Sequence, residues 1–141
     1  MIAAFLDRLR DRQRRRNWTG DQATGRHGED LAHRFLRAQG FTIIARNFRL
    51  PSGEAEADLI AWEGEELVIV EVKTRETSDF GPPERAVGPD KEQHLARLAR
   101  AYARKADVPW TRVRCDLVSV VLSTPPRIEL FRRAVRLPGN G

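Results

Sequence analysis

Apolar residues recur along this chain with two different periods, and the switches between them outline seven elements. From about Thr24 to Gln39, Leu31, Ala32, Phe35 and Leu36 return at helical spacing, and Gly40 supplies a stop. Phe41 to Leu50 is rich in β-formers and predicts a strand that ends at the turn Pro51-Ser52-Gly53. Two further predicted strands, Glu56–Glu63 and Glu66–Lys73, flank Gly64-Glu65, a two-residue loop suited to a type II′ hairpin turn. Thr74 to Pro89 reads as a loop, with Gly81-Pro82-Pro83 and Gly88-Pro89 inside it. Asp90 with Gln93 resembles a capping box opening a helix to about Ala106, whose Leu95, Leu98, Ala99 and Tyr102 share one face. Val113–Leu122 and Ile128–Phe131 are two more predicted strands around Thr124-Pro125-Pro126. The order is α-β-β-β-α-β-β, an α/β arrangement.

Asn17-Trp18-Thr19-Gly20 reads as a break, which divides the chain into a basic arm over residues 1–20, one domain over 21–137 and a tail over 138–141. Six arginines crowd residues 8–16, so the arm is either solvated or laid along phosphates.

The hairpin carries the chemistry. With Gly64-Glu65 as its loop, Asp58 is predicted opposite Glu71 and Glu56 opposite Lys73, all four on one face with Ile60, Trp62, Leu67 and Ile69. Leu59, Val68, Val70 and Val72 are predicted to face the core. Opposed carboxylates repel each other, and more strongly where they are shielded from water. A hard divalent cation, Mg²⁺ or Mn²⁺, removes the conflict at Asp58 and Glu71. Lys73 then stands where it can orient an attacking water or offset developing negative charge. The bland alternative is a cross-strand Glu56–Lys73 ion pair with Asp58 and Glu71 turned to solvent.

Composition narrows the partner. The 141 residues suffice for one core, and 40% hydrophobic with 32% charged residues excludes a wholly disordered chain. No apolar run is long enough for a membrane span, and Met1 to Leu6 is too short for a signal-peptide core. The single cysteine, Cys115, excludes a disulfide framework, fits a reducing cytoplasmic compartment and reads as a small buried hydrophobe. His27, His33 and His94 have no ligand spacing and read as surface or packing residues. A net charge of +5 and a pI near 10.3 favour nucleic acid as partner. Of 25 basic residues only Lys73, Lys91 and Lys105 are lysine, so each lysine marks a place where a compact ammonium is wanted. Lys91, at a helix start where the dipole opposes a cation, is a candidate phosphate contact. Arg97, Arg100, Arg104 and Lys105 form either a phosphate-facing surface or a solvated helix face.

Asp58 followed by Glu71-Val72-Lys73 resembles the D…ExK signature of the PD-(D/E)xK nuclease superfamily. The wider series is more specific: Gly28-Glu29-Asp30-Leu31-Ala32, Gly40-Phe41, Arg46-Asn47-Phe48-Arg49, Glu56-Ala57-Asp58-Leu59-Ile60, Val70-Glu71-Val72-Lys73-Thr74-Arg75, Phe80-Gly81, Ala86-Val87, Lys91 and Asp116-Leu117-Val118. Over about residues 25–131 it resembles the YraN-like uncharacterised family, related to archaeal Holliday-junction resolvases. The resemblance implies a restriction-endonuclease-like core, a mixed sheet flanked by helices, and Mg²⁺- or Mn²⁺-dependent hydrolysis of phosphodiester bonds, with branched or otherwise structured DNA as the candidate substrate. By position it implies Asp58, Glu71 and the Val72 carbonyl as metal ligands, Lys73 as the catalytic lysine, Glu29 as an additional catalytic acid and Glu56 as support behind the ligands. Arg75, with Lys91, Arg97, Arg100 and Arg104, completes the nucleic-acid-binding candidates. Resolvase relatives pair symmetrically on a junction, so the resemblance also allows a homodimer. Two other functions remain open on the residues: a non-catalytic nucleic-acid-binding module, and an interaction domain in DNA uptake or repair.

Overall fold

The computed structural model describes residues 18–76 and 88–139. Residues 1–17 of the predicted arm, the Phe80-Gly81 and Ala86-Val87 motifs and the last two residues of the tail lie outside them. Among the described residues the elements are α1 (Trp18–Ala38), β1 (Thr42–Arg49), β2 (Glu56–Glu63), β3 (Glu66–Arg75), α2 (Pro89–Ala106), β4 (Val113–Val121) and β5 (Arg127–Val135), with a 3-10 turn, Trp110–Arg112, before β4. This is the predicted order. The five strands form one mixed sheet in chain order, antiparallel except for β3 and β4, which run parallel across the α2 crossover.

Alternation along β3 sends its apolar residues to two separate cores, one under each helix. Leu67 and Ile69 join Leu95, Leu98, Ala99 and Cys115 beneath α2. Val68 and Val70 join Ala32, Leu36, Leu59, Val118 and Val120 beneath α1. The chain is therefore a three-layer α/β sandwich, and the face predicted to carry the acidic patch with Ile60, Trp62, Leu67 and Ile69 is covered like the other.

Several boundaries moved, each for a tertiary reason. The predicted break at Trp18 is the start of α1. The predicted capping box is not made: Gly88 is the N-cap, without a side-chain bond, and Pro89 opens α2. Proline fits there because the first helical N–H has no partner to lose. β3 runs two residues past Lys73 because Thr74 and Arg75 pair with Val120 and Val121. β5 continues through Arg132-Arg133 to Val135, its charges met by partners on other strands. At the chain's far end Leu137 is buried, and the Pro138 carbonyl accepts from Trp110 Nε1 at 2.8 Å.

Two glycines set the geometry that matters later. Gly64 has φ +58, the left-handed conformation that the first position of a tight hairpin turn requires, and the ladder from Leu59↔Val70 to Glu63↔Glu66 has the predicted register. Gly28 lies in the buried Gly28, Ala32, Leu36 row of α1, and a Cβ there would come within 2.8 Å of Thr74 Cβ on β3. Gly28→Ala is expected to cost about 1–3 kcal/mol by forcing α1 off the sheet. A urea denaturation midpoint equal to that of the parent protein would show that α1 does not depend on this contact.

Candidate functional site

The sheet forks at Asp58. Pairing between β2 and β3 stops at Leu59↔Val70, while β2 stays with β1 as far as Glu56↔Arg49 and β3 stays with β4 as far as Arg75↔Val121. Asp58 Oδ2 takes the Val72 N–H at 2.7 Å, a side-chain bond where the ladder would otherwise continue. Asp58 is thus held on one arm of the fork and Glu71 on the other. They are neighbours, but not the directly opposed pair that unbroken alternation predicts.

β1, which stays paired with β2 on the Asp58 arm, carries the matching irregularity. Asn47 has φ +51, a left-handed conformation that asparagine tolerates better than most side chains. Ala45 and Phe48 both join the core under α2, as do Ala57 and Ile60, so each strand switches faces across Asn47 and Asp58. With its amide nitrogen turned to the carboxylates, Asn47 donates to both oxygens of Glu29 at 3.2 Å and to Glu56 Oε1 at 3.1 Å. Arg46 completes this corner, 3.5 Å from Glu29 and 2.9 Å from Asp30. α1, seated on β3 through Gly28, delivers Glu29 to the fork.

Electrostatics single out the same residues. Burial raises the Asp58 carboxyl well above the ordinary aspartate value, and repulsion from Glu71 adds to it, against the Val72 N–H bond. Burial also raises Glu71, against the pull of Lys91 and Lys73. Glu29 is raised by burial too, offset by its bonds to Asn47 and Arg46. Glu71 Oε1 lies 3.5 Å from the Lys91 ammonium, whereas Glu71 Oε2 is buried with no hydrogen-bond partner.

The predicted residues divide as follows. Glu29, Asp58, Glu71 and Lys91 come together, Lys73 lies close enough to Glu71 to act on its charge, and Glu56 stands at the edge with Asn47. Glu56 does not face Lys73, because the ladder ends before reaching it; its carboxylate pairs with Arg49 at 2.9 Å instead. Arg75 is only 5% exposed and offers no surface to a nucleic acid. The α2 arginines are partly engaged. Arg97 pairs with Glu54 at 2.9 Å, Arg100 stacks 4.3 Å from the Trp110 ring centre, and Arg104 is exposed in the last turn. Lys91 meets a carboxylate in this structure. Arg46 and Asn47 had no predicted role, although an asparagine inside a strand is a signal in itself.

Among the described residues, no group of three or more histidine, cysteine, aspartate or glutamate side chains has metal-binding geometry. The smaller donor set does fit a hard divalent cation. Two carboxylates that resist ionisation side by side, one with an unpartnered buried oxygen, gain from a shared cation.

The fold and the fork together define an α/β protein whose mixed sheet opens onto a carboxylate–lysine cluster. The chain belongs to the uncharacterised protein family UPF0102, whose profile matches residues 28–120, from Gly28 on α1 to Val120 on β4. It is 53% identical over 133 residues to a UPF0102 protein of Solibacter usitatus, covering 94% of this chain and 99% of that one. It is 46% identical over 118 residues to one of Koribacter versatilis, covering 83% and 82% of the two chains. A Nocardia farcinica relative is 47% identical over 102 residues, 72% of this chain and 79% of its own. None of the described helices is long and apolar enough to cross a membrane.

Proposed function

We propose that this chain is a metal-dependent DNA endonuclease, hydrolysing phosphodiester bonds at the fork between β2 and β3. The observation that carries the reading is the pair Asp58 and Glu71, pressed together in a buried setting with Glu71 Oε2 unpartnered, and with Lys73 next but one on the same strand. Mg²⁺ or Mn²⁺ held there would acidify water and neutralise charge on the scissile phosphate. The remaining work falls to the chain. Asp58 keeps its position through the Val72 N–H, and Glu29 and Glu56 hold the rim through Asn47. Lys73 offers a compact ammonium to the attacking water or to the phosphoryl oxygens, a point donor that arginine does not replace. The charge of +5 favours the phosphate backbone as partner, and the resemblance to junction resolvases favours branched DNA.

The test is a cleavage panel of branched, single-stranded and duplex DNA with Mg²⁺ or Mn²⁺. Lys73→Ala and Lys73→Arg should both lose cleavage by at least about a hundredfold while retaining DNA binding. Unchanged turnover in both removes Lys73 from the chemistry. A second reading, a binding module without catalysis, draws on the Lys91–Glu71 pair, which already compensates one carboxylate. It predicts salt-sensitive DNA binding with no cleavage in any arm of the panel.

A further inference from the structure

Lys91 is placed where a cation costs free energy. It lies in the first turn of α2, whose dipole and unpaired N–H groups favour anions, and Asp90 and Glu92 follow that rule beside it. What offsets the cost is Glu71, across the space between α2 and β3. Both side chains are largely withdrawn from water, 18% and 16% exposed. Yet the contact is a loose one. At 3.5 Å it is longer than the 2.9 Å pairs Arg46–Asp30 and Arg97–Glu54, and it serves only one of the two Glu71 oxygens. In a chain with 22 arginines and three lysines, this position holds the side chain with a single charge centre on a flexible stem, not the fork that grips a carboxylate twice.

We infer that the Lys91 ammonium and a divalent cation compete for the same carboxylate of Glu71, so that Lys91 neutralises the fork when no metal is bound and is released from it when one is. The inference rests on the metal site proposed above and adds a positioning residue to it. The released ammonium stays on its stem beside the fork, so the positive charge that had neutralised Glu71 becomes available to an incoming phosphate.

The experiment is titration of the full chain with MnCl₂ alone, by calorimetry, in the parent, Lys91→Met and Lys91→Arg proteins. Removing one positive charge at contact distance should tighten Mn²⁺ binding by about tenfold or more in Lys91→Met. Lys91→Arg, which keeps the charge, should bind no tighter than the parent. Mn²⁺ binding by the parent with an equal or weaker affinity in Lys91→Met overturns the competition and leaves the metal site standing. No Mn²⁺ binding by the parent removes the metal site itself. A second measurement uses the parent protein only and does not depend on the variants folding. With three lysines in the chain, amine labelling is read peptide by peptide, and Lys105, exposed near the end of α2, is the internal control. Saturating Mn²⁺ should raise Lys91 labelling several-fold and leave Lys105 unchanged. Labelling of Lys91 that stays constant while Mn²⁺ binds overturns the inference.

Discussion

Asp58→Asn is expected to leave the metal-free protein as stable as the parent or more so, and to abolish any thermal shift caused by Mg²⁺ or Mn²⁺. The substitution removes a buried charge and its repulsion by Glu71 at nearly constant volume. The amide oxygen of asparagine can still accept the Val72 N–H, so the fork keeps its hinge. The parent should gain roughly 2.7 kcal/mol from metal at a hundred times the dissociation constant, and the variant close to nothing. The pH dependence has a definite sign. Asp58 and Glu71 both titrate above their ordinary values, so between the unfolded and the folded values the metal-free fold holds protons that the unfolded chain has released. Their contribution to stability is full in acid, below the unfolded values, and is lost as pH rises through the folded ones. Asp58→Asn should flatten that decline. A metal-induced shift that persists in Asp58→Asn would show that this carboxylate is not a ligand.

Arg114→Met should be the most destabilising single change away from the fork, at about 3–5 kcal/mol in urea denaturation. Arg114 is 4% exposed and binds Asp116, which is fully buried, at 3.0 Å through Nε, together with Glu66 at 3.0 Å and Glu63. Arg132 and Arg133 reach the same two glutamates from β5. Asp116 Oδ1 also takes the Arg133 N–H at 3.0 Å, beside the register shift between β4 and β5 where Arg133 has φ +57. Removing the guanidinium leaves the buried Asp116 charge uncompensated. Adding Asp116→Asn, which keeps an acceptor for Arg133, should recover most of the loss, and a double variant no more stable than Arg114→Met would refute the argument. The pH behaviour here runs opposite to that of the fork. Bonds from Arg132 and Arg114 hold Glu63 down to about 2, so its contribution is present above the ordinary glutamate value and is lost as pH falls toward 2. Glu63→Gln should reduce the acid sensitivity of the fold.

These two clusters differ in how far the sequence foretold them. Asp58, Glu71 and Lys73 stood out as candidates because carboxylates and a lysine inside an apolar hairpin conflict with strand propensity. The Arg114 network did not. Arg114 and Asp116 occupy β4, and their partners at Glu63, Glu66, Arg132 and Arg133 become neighbours only after four strands have assembled. A charge pattern along one strand does not announce a partner on another.

The hydrophobic periods by themselves determined the seven elements and their order, and the two-residue loop at Gly64 determined the hairpin register, because local spacing and turn chemistry are properties of short stretches of chain. Alternation could not show where that register stops being followed. The ladder ends at Leu59↔Val70 because β2 follows β1 and β3 follows β4, and because the Asp58 carboxylate binds the Val72 N–H. Only the tertiary structure therefore decided that Glu56 turns to Arg49 and Asn47, that Arg75 is buried, and that Lys91 meets Glu71. Each of these depends on which helix or strand covers a residue once the sheet has formed. That choice is settled by packing across the whole chain, which the spacing of neighbours along it does not encode.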